Sequence, residues 1–164
     1  MRDGSGRYTP RVAAHSAPCE ICDSVRTCVE GSHPGLIAEL DTGRAVLGNV
    51  QFWPGYSLLL CKSPVTERHE LPRATRLRHL EEVSRLAEAV HRVVRPHKLN
   101  DELLGNSVPH VHGHVLPRRA DEPAPRAPVW TQMPTDEVAA AHRPDPARRD
   151  GLPRAIAAEL AAVR

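Results

Sequence analysis

Apolar positions come in short blocks along the first two thirds of the chain and thin out after residue 117. Leu36–Leu40 and Arg44–Gly48 flank the turn triplet Asp41-Thr42-Gly43 and together predict a β-hairpin. The run within Tyr56–Cys61 predicts a third strand, entered through the turn Pro54-Gly55. From Leu71-Pro72 the period changes. Leu77, Leu80, Val83, Ala87, Val90 and Val94 recur every three to four residues, which predicts one long helix with a single buried stripe. Pro72 suits its first position and Pro96 ends it, while Glu81–Arg85 and Glu88–Arg92 fall at i, i+4 on its wet side. Leu99–Leu104 predicts a fourth strand, and Gly105-Asn106 turns into a fifth that carries His110, His112 and His114.

The expected architecture is therefore an α+β domain: a five-stranded antiparallel sheet with one long helix, followed by a Pro-rich C-terminal extension. Residues 1–17 are polar and aperiodic and read as a flexible N-terminal arm. The domain proper takes 18–120 and the extension 121–164. Half of the prolines lie from Pro117 onward, so 117–147 is expected to be irregular, either packed over the domain or mobile. Ala155–Val163 predicts a short terminal helix.

Composition narrows the functional classes. A net charge of +2 over 164 residues is too mild to argue for a nucleic-acid polymer or a membrane surface. No apolar run approaches the roughly 20 residues of a membrane span, and the first residues lack a signal-peptide core, so a cytoplasmic protein is the default expectation. Four cysteines do not read as a disulfide framework here, and Cys61, inside an apolar strand, is expected to be a buried thiol. Phe52, Trp53 and Tyr56 concentrate the scarce aromatics in one corner, as core or as a base-stacking platform. Trp130 lies in the extension, from which it can fold back toward the site.

The chemistry points to the fifth strand. Side chains alternate along a strand, so His110, His112 and His114 are expected on one face, roughly 7 Å apart, with Val111 and Val115 on the other. Such a row can be surface decoration, a metal site, or a nucleophilic site. For the last, a neutral imidazole nitrogen attacks phosphorus and a neighbouring histidine moves the proton. Imidazole titrates near pH 6.5, which suits that division of labour.

The run His110-Val111-His112-Gly113-His114-Val115-Leu116 resembles the histidine-triad family of nucleotide hydrolases and transferases, whose pattern alternates histidine with apolar residues; Gly113 departs from it. The flanks Ser107-Val108-Pro109 and Pro117-Arg118 fit as well. Upstream, Pro54-Gly55-Tyr56 is similar to the family's Pro-Gly-His. Pro64-Val65 and His69-Glu70-Leu71 look like the fragile-histidine-triad branch, and Gln51–Tyr56 with Leu103–Asn106 looks like bacterial diadenosine tetraphosphate hydrolases. The resemblance implies hydrolysis of a nucleotide phosphoanhydride or phosphoramidate, dinucleoside polyphosphates leading. It makes His112 the nucleophile on the α-phosphorus, His114 the contact to phosphate oxygens that assists proton transfer, and His110 an orienting residue or a metal ligand. Ser107 and Asn106 would contact phosphate or the leaving group, and Asn49 stands where many members hold the ribose with Asp. A homodimer with sheets side by side is implied. The alternatives are a nucleotidyltransferase or phosphorylase using the same intermediate, and a non-catalytic nucleotide- or zinc-binding module.

Cys19-Glu20-Ile21-Cys22 has structural zinc spacing, and two more ligands are needed. Zinc-binding members of the family take a histidine at the position of Pro64 together with the first triad histidine, His110. Proline cannot ligate, so His69, or a local set using Cys28 and His33, would substitute. The other reading is two reduced, unligated thiols at a strand start. No organic cofactor is expected. His79, His91 and His97 are expected on or beside helix surfaces, and Arg118-Arg119 are either solvated or neutralise a polyphosphate.

Overall fold

The computed structural model describes residues 18–144 and 151–163. The arm 1–17 lies outside them. Strands β1 (Leu36–Glu39), β2 (Gly43–Leu47), β3 (Ser57–Cys61), β4 (Lys98–Glu102) and β5 (His112–Arg118) form one antiparallel sheet in the order β1-β2-β3-β5-β4. The expected fold class holds. Among the described residues four α-helices accompany the sheet: α1 (Glu20–Val29), α2 (Arg73–Val94), α3 (Asp136–Ala141) and α4 (Gly151–Ala162). None of the described helices is long and apolar enough to cross a membrane.

Alternation along β5 sorts the molecule into layers. Gly113 and Val115 face α2, which packs with α4 over one side of the sheet around Leu59, Leu86, Val90, Ile156 and Leu160. A Cβ built on Gly113 would lie 3.0 Å from a Val83 methyl, so this glycine admits the helix rather than a ligand. His112 and His114 face the other side. They pair across strands with Leu60 and Leu58, beside the apolar cluster that α1 makes with Val46 and Leu60. Gly55 supplies the left-handed turn (φ +90°) that leads into β3.

Helix α2 departs from the expected stripe. Val83, Ala87 and Val90 are buried, but Leu77 and Leu80 are exposed, and His79 and Glu82 are fully buried. The hairpin turn explains the exchange. The Thr42 hydroxyl donates to Glu82 at 2.5 Å and its oxygen accepts from His79 Nδ1 at 3.0 Å, so one threonine binds both polar side chains within the core, while His79 Nε2 stays without a partner. Pro72 is the N-cap, and Arg95, in the left-handed region, closes the helix. Glu88–Arg92 forms as an ion pair, whereas Arg85 donates instead to the carbonyls of Leu160 and Val163 and ties down the end of α4.

The extension is packed rather than free where it is described. Arg118 is buried at the end of β5, where it pairs with Glu122, Asn100 and the carbonyls of Ala124 and Ala127. Val129 is buried against Trp53 and Leu116. Helix α4 begins four residues before the expected start and carries Ile156 and Leu160 into the main core.

Candidate active site and metal centre

Strand β5 begins at His112, and His110 lies just before it. The His110 side chain turns to α1, which packs beside Leu60 on the side of the sheet that carries His112 and His114. The His112 and His114 rings meet edge to face, 4.6 Å apart. His110 is drawn away by partners distant in sequence: its Nδ1 lies 3.4 Å from Cys22 Sγ and 3.6 Å from Cys19 Sγ, and its Nε2 lies 2.9 Å from the Cys61 carbonyl.

The hydrogen bonds fix the protons. A carbonyl only accepts, so His112 Nδ1, 2.6 Å from the His110 carbonyl oxygen, is the nitrogen that carries hydrogen. In the neutral ring this leaves the lone pair on Nε2. His114 Nδ1 lies 2.7 Å from the Tyr56 hydroxyl. Burial, and then the neighbouring His112, push the His114 pKa down to about 4, against an opposing hydrogen bond to the Leu104 backbone. The single N–H of neutral His114 goes to that backbone acceptor, so Nδ1 accepts from Tyr56, whose phenol burial pushes well above its usual range. Tyr56 thus sets the His114 tautomer.

Three clefts meet at His112. One, of about 570 Å³, has Asn106, Ser107 and His114 with Trp130 and Met133. A second, of about 180 Å³, runs between α1 and β2 past Ile21, His33, Asn49 and Leu58. A third, of about 350 Å³, is lined by Thr66, Glu67, Arg68, Asn106 and His110. Ser107, Asn106 and Asn49 therefore all border space that reaches His112, though on different clefts. Trp130 does fold back to the site. Of the aromatic corner, Trp53 is core, while Tyr56 belongs to the site through His114.

Cys19, Cys22 and His110 could hold a metal ion, their ligand atoms all lying within 4.8 Å of one another. Tetrahedral zinc, with bonds of about 2.3 Å to sulfur and about 2.0 Å to nitrogen, needs nitrogen and sulfur roughly 3.6 Å apart, which the 3.4 and 3.6 Å separations match. The tautomer fits too. His110 gives its Nε2 proton to the Cys61 carbonyl and turns a bare Nδ1 to the sulfurs, the usual second-shell arrangement of a ligating histidine. The cysteines are not at a strand start: Cys19 caps α1, its sulfur 3.4 Å from the Cys22 amide. The substitutes expected from sequence do not join them among the described residues: Cys28 is buried with Ile21 and Val46, His33 accepts from the Gly35 amide, and His69 is exposed.

The remaining expectations about charge are corrected. Arg118 and Arg119 are bound to Glu122 and Asp121, away from the histidines. Sequence reasoning missed Arg68, which lines the third cleft, and Tyr56 as the partner of His114. The Pro-Gly-Tyr departure from Pro-Gly-His was the one signal for the latter.

An antiparallel five-stranded sheet that presents paired histidines at the junction of three clefts defines a nucleotide-binding histidine-triad domain. The sequence matches the family model of the HIT domain over residues 34–121, more than half of the chain. The chain belongs to the HIT family, whose members are typically nucleotide-processing hydrolases and transferases. Similar solved structures include a histidine triad protein from Marinobacter aquaeolei VT8, 29% identical over 79% of this chain and 90% of that one, with a TM-score of 0.57. Another, from Bradyrhizobium japonicum, is 24% identical over 76% and 89%, with a TM-score of 0.66. A Zn-bound histidine triad family protein from Mycobacterium smegmatis is 23% identical over 88% and 94%, with a TM-score of 0.60. Among curated proteins, none matches the chain.

Proposed function

We propose that this chain is a nucleotide hydrolase that cleaves a phosphoanhydride or phosphoramidate bond, with dinucleoside polyphosphates as the leading substrates, through a nucleotidyl intermediate on His112. The carrying observation is the 2.6 Å bond from His112 Nδ1 to the His110 carbonyl, which leaves an Nε2 lone pair where three clefts converge. In the first step Nε2 attacks the α-phosphorus, the bond from phosphorus to the leaving group breaks, and the leaving group departs with the electron pair. Water then attacks the phosphorus, the P–N bond breaks back to His112, and the proton from water passes to solvent or base. His114, neutral at pH 7, brings no positive charge to the phosphate. A phosphoanhydride suits this, since its polyphosphate leaving group departs as an anion with little need of an acid.

The apolar cleft along α1 and β2 suits a nucleoside, with Asn49 toward the ribose. Asn106 and Ser107 suit phosphate or the leaving group. Cys19, Cys22 and His110 would hold zinc; when bound, the ion supplies a structural cross-link between α1 and the start of β5. A homodimer joined edge to edge is consistent with β4, which has a partner on one side only.

The test is rapid acid quench with an α-labelled dinucleoside tetraphosphate. Label is expected on wild-type protein and absent from His112→Ala, whose turnover falls at least about a thousandfold. Turnover by His112→Ala near the wild-type rate refutes the assignment. Added phosphate separates the phosphorylase reading by the release of nucleoside diphosphate, and nucleotide binding without turnover would indicate the non-catalytic module.

A further inference from the structure

We propose that Arg68 contacts the anionic leaving group and sets the preference of this site for polyphosphate substrates. This rests on the hydrolase reading above and goes beyond it in naming what the third cleft receives. Among the described residues Arg68 is the one guanidinium that lines any of the three clefts meeting at His112.

Among the described residues only Arg68 and Arg85 have a buried Nε without a hydrogen-bond partner, and of the two only Arg68 lines these clefts. Arg44, Arg78, Arg92, Arg118 and Arg119 are each held by a carboxylate. Arg68 forms no such pair among the described residues, and its Nε is buried without a hydrogen-bond partner. A buried donor left unmade is costly, and a guanidinium keeps its charge at any working pH, so this group calls for an anionic acceptor. The obvious local carboxylate is spent elsewhere: Glu70 accepts from the Thr66 and Glu67 amides at 3.0 and 3.1 Å and from the Thr66 hydroxyl at 3.3 Å. Those bonds also stiffen the single helical turn Arg68–Glu70 that carries the arginine. Glu67 lines the same cleft but is exposed, so water and salt screen it.

The chemistry of the reaction gives this cation its use. Nucleoside and α-phosphate occupy one side of His112, and an in-line leaving group must exit on another. A polyphosphate leaves carrying several negative charges, and a charge-assisted bond to guanidinium is strongest when that charge is fully developed. Asn106, on the same cleft, offers amide donors beside it.

The experiment compares kcat/KM for a dinucleoside tetraphosphate with that for a nucleoside phosphoramidate of an uncharged amine, in wild type, Arg68→Gln and Arg68→Lys. The ratio is expected to fall by about tenfold or more in Arg68→Gln and to recover in part in Arg68→Lys. Equal losses on both substrates, or an unmoved ratio, overturn the proposal. Calorimetric binding of inorganic tripolyphosphate gives a second arm that needs no turnover: about tenfold weaker binding in Arg68→Gln supports the contact, and equal binding overturns it. A wild type that turns over neither substrate refutes the hydrolase reading, and the binding arm then decides for Arg68 by itself.

Discussion

The neutral state of His114 can be measured directly. Burial, with His112 beside it, lowers its pKa from the ordinary 6.5 to about 4. Between those values the unfolded chain binds a proton that the native chain refuses. Stability therefore rises with pH through this window, is fully present above about pH 6.5, and is lost as pH falls toward 4. A separation of this size corresponds to about 3 kcal/mol at most, of which roughly 2.5 kcal/mol is spent by pH 4.5. The perturbation is His114→Gln, which keeps an acceptor for the Tyr56 hydroxyl and removes the titration. Guanidinium unfolding of both proteins, repeated from pH 7.5 to 4.5, isolates the effect in the difference between them. His79, whose pKa is also lowered by burial, titrates in both and cancels. The wild type is expected to lose about 2–3 kcal/mol more than the variant on acidification. The histidine ring NMR signal of His114 should remain unshifted until well below pH 6. Parallel stability curves, or a His114 resonance that titrates near 6.5, would refute the claim that Tyr56 and the Leu104 backbone enclose a neutral ring.

Two further outcomes follow from buried polar groups. Arg118→Met strands the Glu122 carboxylate, whose side chain is only 13% exposed, and should cost about 3–5 kcal/mol in chemical denaturation; a loss below about 1 kcal/mol would show that the extension is not anchored there. Protein purified from zinc-supplemented cells should carry stoichiometric zinc by elemental analysis, and Cys22→Ser should lose most of it; wild type without zinc, or a variant that retains it, contradicts the metal centre.

What was legible in the sequence is what depends on local period. The Asp41-Thr42-Gly43 hairpin, β3 after Pro54-Gly55, the span of α2 and the pairing of His112 with His114 all follow from alternation or three-to-four spacing. What was not legible depends on contacts far apart in the chain. Helix α1 has only Ile21, Val25 and Cys28 as an apolar face, too little to declare itself, and it is completed by residues of β2 and β3. His79 and Glu82 look like wet-side residues until Thr42, 37 and 40 positions away, binds them in the core. His110 is read from sequence as an orienting residue or a metal ligand, and only the approach of Cys19 and Cys22, 91 and 88 residues distant, shows which side chains its ring meets. Arg118 reads as a surface cation because Glu122 and two carbonyls of the extension become its partners only once the chain turns back.

His110 links the candidate metal ligands to His112 through a single residue. Its ring faces Cys19 and Cys22, its Nε2 bonds the Cys61 carbonyl, and its own carbonyl accepts from His112 Nδ1. A metal ion on the ring of His110 would restrain the residue whose carbonyl accepts from His112 Nδ1. The same ion would hold the start of α1, which supplies Ile21 to the wall of the cleft between α1 and β2. A metal ion on this cysteine pair would thus act on two features of the site. The first histidine of the triad thus works through two groups: its side chain meets the cysteines of α1, and its backbone carbonyl orients the His112 ring.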